Sequence, residues 1–366
     1  MLKKTRSVRS PVKREGSERY ILLSLVSFAA SVIATRTFLE LMGYPQLGND
    51  TLHIAHVLWG GLLLFIASLL PLILANRWAF NLSAILSGVG VGLFIDEVGK
   101  FITQNNDYFY PPAAPIIYTF FLLTVLLYLS VRRPKDETPR ELMYRALDEL
   151  TEVLDRDLDL QEHSALQNRL DEIAASADDQ NTRELVHSLE RFLDHKQLVL
   201  VRPRKTYMQR IGQRISPLYK RTMTQRRLKM FMVVALGSMG VVALLDFVRL
   251  MTILPAPGPA IDAILTLLVY SGQLHNAQEA IWFVIRTLLE GGSGVMLIIS
   301  GGLIVVGRER TGIQIATLTL VIWIAVINLL VYYFDQFGAV VITLFQFFIL
   351  TMLTYYRRMF LKLEPQ

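Results

Sequence analysis

Cysteine is absent from this chain of 366 residues. That excludes disulfides, thiolate metal sites and a cysteine nucleophile. Charge is scarce as well: Asp, Glu, Lys and Arg make up 19% of the residues and 52% are hydrophobic. An ordinary soluble domain carries about a quarter charged residues. Catalytic signatures are missing too. There is no phosphate-binding glycine loop with its lysine, no G-x-S-x-G, no H-E-x-x-H and no kinase pattern. The clusters "GVGVG" and "GGSG" lie inside apolar runs, where glycine serves close helix packing.

What is present is a series of apolar runs long enough to cross about 30 Å of hydrocarbon. Eight spans are predicted, at about Tyr20–Met42, Leu52–Ala75, Phe80–Ile102, Ala113–Val131, Leu228–Leu254, Ala280–Val306, Ile313–Phe334 and Ala339–Tyr356. The first follows a basic stretch, as a signal peptide would, but its apolar run is longer than a signal core. Lysine and arginine are missing from the alternate loops "GYPQLGND", "TQNNDYFYPP", "PAPGPAIDAILTLLVYSGQLHN" and "FDQFG". They crowd instead into "MLKKTRSVRSPVKRE", "RRPK", "GRER" and "YYRRMFLK". Translocation disfavours basic loops, so both termini of a multi-pass cell-membrane protein are expected in the cytoplasm. The long apolar loop is expected to re-enter the membrane or to lie along its outer face.

The spans fall into two sets of four. "FFLLTVL" (Phe120–Leu126) echoes "FFILTML" (Phe347–Leu353), and both runs end in paired arginines. "FLELM" echoes "FVRLM", and "WGG" lines up with "EGG". An even number of spans per set implies a parallel repeat. The fold class is thus an all-α polytopic membrane protein: two parallel four-helix repeats with a helical cytoplasmic insert.

Six segments follow: a basic tail over 1–19, a first transmembrane unit over 20–131, an acidic helical insert over 132–195, a basic segment over 196–229, a second transmembrane unit over 230–358 and a tail over 359–366. In the insert, "ETPRE" reads as a helix start, with Thr138 as cap and Glu141 at the capping-box position. Leu142, Leu147, Leu150 and Leu154 follow at helical spacing. The basic segment has no acid at all. Beside a span, it suits anionic lipid headgroups better than nucleic acid.

Ionisable residues inside spans are costly and belong on interior faces. Here they are Arg36, Glu40, His53, His56, Asp96, Glu97, Lys100, Asp246, Arg249, Arg286 and Glu290, with Asn328 close by. All are expected near the outer ends of their spans. Asp96 and Lys100 stand four apart, on a strip continued by Gly92, Gly88 and Ala84. They are expected to pair with each other and to leave Glu97 without a partner on its own helix. Arg36/Glu40, Asp246/Arg249 and Arg286/Glu290 have the same kind of spacing. His53 and His56 form H-x-x-H. On one helical face, opposite Asp96 and Glu97, they would form a polar cluster able to relay protons or to hold a divalent metal ion.

Three functions are compatible with this pattern. The first is transport of a small ion or solute by alternating access. The second is a scaffold, sensor or complex subunit that binds a protein partner through the cytoplasmic helices. The third is a metal-dependent membrane enzyme, which the missing catalytic signatures disfavour.

Overall fold

The computed structural model describes residues 11–43, 48–49, 52–53, 55–133, 137–154, 158–177, 179–193, 224–253 and 279–361. The basic run over 196–223 and the apolar loop over 255–276 lie outside the described residues. Among the described residues, eight helices are long and apolar enough to cross a membrane. In the first half these are α1 (Ser17–Leu41), α2 (His56–Ile73), α3 (Arg77–Asp96) and α5 (Ala113–Arg132). A short α4 (Val98–Ile102) continues α3 past a break at Glu97. A two-stranded ribbon, β1 (Gly48–Asn49) and β2 (Leu52–His53), precedes α2.

Three further helices, α6 (Pro139–Leu154), α7 (Leu160–Ser176) and α8 (Gln180–Leu193), follow the first half. The second half contains α9 (Gln225–Ile253), α10 (Ala280–Val305), α11 (Glu309–Ile322), α12 (Asn328–Asp335) and α13 (Ala339–Phe360). A π-helical turn, Trp323–Ile327, joins α11 and α12 into a single span.

The chain forms two compact units, one of Met1–Leu22 with Leu127–Pro217 and one of Leu23–Leu126 with Leu218–Gln366. In the larger unit, glycine sets where helices touch. A Cβ on Gly60 would lie 2.8 Å from the Gly90 carbonyl oxygen, so α2 and α3 meet backbone to backbone there. Gly240 and Gly294 bring α9 and α10 together in the same way. The strip of Gly88 and Gly92 does not face α2. It faces α1 instead: a Cβ on Gly92 would lie 2.7 Å from the Ser31 Cβ, and Ser31 Oγ donates to the Val89 carbonyl at 3.2 Å.

Leu236, Leu297, Ile304, Leu320, Leu353 and Tyr356 sit in the buried core of the second half. Trp59, Phe65, Leu72 and Ile73 on α2 are exposed, the arrangement of a helix whose outer face meets hydrocarbon. At the other end of the core, Glu309 accepts from Lys229 Nζ and from Tyr356 Oη, both at 2.7 Å, and so ties α9, α11 and α13 together.

The smaller unit contains α6, α7 and α8 around Leu142, Ala146, Leu166, Leu170, Ile173 and Val186. Thr138 precedes α6, and its backbone N–H donates to Glu141 Oε2 at 2.8 Å. Asp159 and Glu162 close the same reciprocal box on α7.

Candidate functional site

Three ionisable side chains of the first half, Arg36, His56 and Tyr108, converge on Asp96, which has no exposed surface. Arg36 comes from α1 and donates through Nε to Asp96 Oδ1 and through Nη2 to the Asp96 backbone carbonyl, the latter at 2.9 Å. His56, the first residue of α2, places Nε2 3.0 Å from Asp96 Oδ2. Tyr108 Oη donates to the same oxygen at 2.8 Å.

Tyr108 reaches this position through its loop. Thr103 Oγ1 donates to the Gly99 carbonyl and accepts from Asp107 N–H, both at 2.7 Å. Asn106 takes a positive φ of 54°, a backbone state asparagine tolerates. Asp107 Oδ1 then accepts from Phe109 N–H at 2.9 Å. These bonds fold the loop back over α4. A Cβ on Gly99 would meet the Asp107 carbonyl at 2.6 Å.

Glu97 is almost wholly buried at the α3–α4 break. Its Oε1 lies 2.9 Å from His56 Nδ1 and 3.6 Å from Lys100 Nζ. Each ring nitrogen of His56 therefore faces a carboxylate oxygen. The contact to Asp96 is a hydrogen bond, whereas Glu97 Oε1 lies close to Nδ1 without a hydrogen-bond partner, so the Glu97 contact is a charge contact when His56 carries both protons. The Arg36 guanidinium carbon also stands 4.0 Å from the centre of the Tyr108 ring, and Lys100 Nζ 5.2 Å from it. Arg36 and Lys100 balance Asp96 and Glu97, and a charged His56 adds one positive charge.

Several expected pairings are replaced. Lys100 pairs with Glu97 rather than Asp96, because the break at Glu97 ends the helical spacing that would join Asp96 to Lys100. Arg36 turns to Asp96, while Glu40 is exposed on α1. His53 lies in β2, paired with Gly48, so it does not share a helical face with His56. Among the described residues, no group of three or more His, Asp or Glu side chains is arranged to hold a metal ion. Asp246–Arg249 pair at 3.2 Å on α9, both exposed, and Arg286–Glu290 at 3.3 Å on α10, both partly buried.

A second polar cluster centres on Asn328. Its Nδ2 donates to Gln346 Oε1 at 2.7 Å, to Thr343 Oγ1 at 3.2 Å and to Tyr118 Oη at 3.3 Å. Tyr118 Oη donates in turn to the Ile324 carbonyl at 2.7 Å. That carbonyl belongs to the π turn, whose wider hydrogen-bond register frees backbone oxygens. Tyr118 and Tyr332 stack at 4.4 Å between ring centroids. Beside them an apolar cleft opens between α1, α5, α12 and α13, lined by Val32, Ile117, Phe121, Tyr332, Thr343 and Phe347. Tyr108, Tyr118, Thr343 and Gln346 are absent from the set of residues picked out by sequence. The one sequence signal for Tyr108 is an aromatic run directly after a charged span end.

No protein-family model, no curated protein and no solved structure matches the chain.

Proposed function

We propose that this protein transports a small ion or solute by alternating access between two parallel four-helix halves, with His56 as its proton-sensitive element. The observation that carries this reading is the position of His56, held between two buried carboxylates at the start of a span. Ionisable groups kept inside spans mark ion and proton pathways more often than they serve stability. Loss of the His56 proton, or gain of one by Asp96 or Glu97, removes a contact that joins α2 to the α3–α4 break. Arg36, Lys100 and Tyr108 complete the charged and titratable surroundings. The two-half arrangement draws support from the matched segments "FFLLTVL" and "FFILTML", which lie on α5 and α13, the last span of each half. Both termini and α6–α8 are assigned to the cytoplasm by the distribution of basic residues.

The test exploits the missing cysteines. A single cysteine replacing Phe109, beside Tyr108, is labelled with a membrane-impermeant reagent in proteoliposomes at pH 5 and pH 8. Each rate is divided by that of a free small thiol at the same pH, which cancels the change in thiolate fraction. The expected result is a relative rate that changes with pH and stops changing in the His56→Gln variant. Equal relative rates at both pH values in both proteins would mean a static cluster and remove this reading.

One observation favours the alternative, a scaffold or complex subunit. Tyr144, Leu147, Leu160, Leu185 and Phe192 are exposed on the α6–α8 bundle, an apolar surface of the kind that binds partner proteins. The static outcome above is what this alternative requires.

A further inference from the structure

A second pocket lies in the smaller unit, far along the chain from the His56 cluster. It is lined by Lys13, Arg14 and Glu15 from the N-terminal segment and by Arg140, Arg145 and Asp148 from α6. Tyr144 forms part of its wall, and the Arg140 guanidinium carbon lies 5.4 Å from the centre of that ring. The lining carries four cations and two carboxylates, and two more carboxylates, Glu18 and Glu137, pair with Lys13 and Arg145 from outside it.

The pocket is built, not merely a basic surface. Arg145 pairs through Nε with Glu15 at 2.9 Å and through Nη2 with Glu137 at 2.6 Å, which fastens the N-terminal segment to α6. Lys13 Nζ donates to the Val131 carbonyl at 2.6 Å and lies 3.5 Å from Glu18. Val131 is in the last turn of α5, and Glu15 stands two residues before the start of α1 at Ser17. The pocket therefore sits where two spans leave the hydrocarbon, at the level of lipid headgroups. Unpaired backbone carbonyls end α5 there, and Lys13 caps one of them.

We propose that this pocket binds the phosphate of an anionic lipid headgroup. Arginine and lysine supply the donors that phosphate oxygens need. The location at span ends favours a lipid over a soluble anion, and anionic lipids gather on the face of the membrane to which the basic loops assign it. The site is separate from the transport reading and stands if that reading fails.

The test uses the full-length protein in a neutral detergent with added short-chain phosphatidylglycerol, short-chain phosphatidylcholine or inorganic phosphate. Thermal unfolding reports binding, because a ligand that prefers the folded state raises Tm as its concentration rises. Phosphatidylglycerol is expected to raise Tm, while phosphatidylcholine and inorganic phosphate leave it unchanged. The Arg14→Gln/Arg140→Gln variant should bind phosphatidylglycerol about thirtyfold more weakly, the factor for two basic side chains at about 1 kcal/mol each.

Arg357→Gln/Arg358→Gln removes the same charge in the last turn of α13, outside the pocket and outside the basic 196–229 segment, and should respond like the parent. Each variant is compared with its own lipid-free Tm, so lost stability alone does not imitate lost binding. A rise with inorganic phosphate alone would overturn the lipid assignment. Equal responses from the two double variants would overturn the pocket in favour of diffuse surface charge.

Discussion

Replacing Asp96 by asparagine keeps the side chain's shape and removes the charge that faces Arg36 and His56. Breaking a buried ion pair on one side costs about 3–5 kcal/mol, because the remaining charge stays buried. Asp96→Asn is expected to lose that much in denaturant unfolding. Glu97→Gln should lose clearly less, since its partners Lys100 and His56 both reach solvent, at 25% and 23% side-chain exposure. Equal losses would mean that the two carboxylates do the same work. In the second cluster, Tyr118→Phe strips the Ile324 carbonyl of its donor. The expected cost is about 1–3 kcal/mol by the same assay.

The identities of Arg36, His56, Asp96, Glu97 and Lys100 were legible because charge stands out in an apolar span. Their pairing was not. Helical spacing links Asp96 to Lys100 only if the helix is unbroken, and the backbone turns aside between them at Glu97, with φ −92° and ψ 11°. His53 fell on the wrong element for a related reason: the apolar pattern runs through Leu52, while α2 begins at His56. Tyr108 depends on loop hydrogen bonds that no periodicity encodes.

Helix contacts make their own predictions. A Cβ on Gly88 would collide with Ser27 Oγ and with the Ser24 backbone oxygen, atoms of the facing α1. Gly88→Ala should therefore destabilise by about 1–3 kcal/mol, as overpacking does. Gly61→Ala is the control, because nothing lies within 4 Å of its added methyl. There the helix preference of alanine should show alone, a gain of up to about 1 kcal/mol. Matching effects at the two positions would contradict the α1–α3 contact.

At the start of α8, Thr182 donates to Asp179 from its hydroxyl and, at 2.8 Å, from its backbone N–H. These bonds hold the Asp179 carboxyl below its ordinary pKa. A lowered folded value means the contribution is complete above the unfolded pKa, about 3.9, and is lost as pH falls through the folded one. Helicity followed by circular dichroism below about pH 4 should fall less steeply in Asp179→Asn. The positions of the spans were readable from hydropathy, with helix ends within about four residues of expectation except in the third span, expected to run to Ile102, where α3 stops at Asp96 and α4 continues past the break. The π turn was not, since an apolar run looks the same in either hydrogen-bond register.

For the molecule as a whole, orientation is the property that the basic loops predict most directly. A single cysteine replacing Ser176, at the end of α7, should resist impermeant thiol reagents in intact cells and react after lysis. Labelling in intact cells would reverse the orientation and move the headgroup pocket to the opposite leaflet.

The π turn at Trp323–Ile327 has a mechanical consequence. It stores one residue of slack in the seventh span. If that turn tightened to ordinary α-helix, everything beyond it would advance by about 1.5 Å and rotate by about 100°. Asn328 would leave Tyr118, and the bonds to Thr343 and Gln346 would go with it. Gln336 has φ 42°, and its amide reaches the Phe109 carbonyl at 3.3 Å. It would be pulled by the same screw motion, and the loop that delivers Tyr108 to Asp96 would feel the pull. In such a shift, one residue of helical slack would give the second half a lever on the charges of the first.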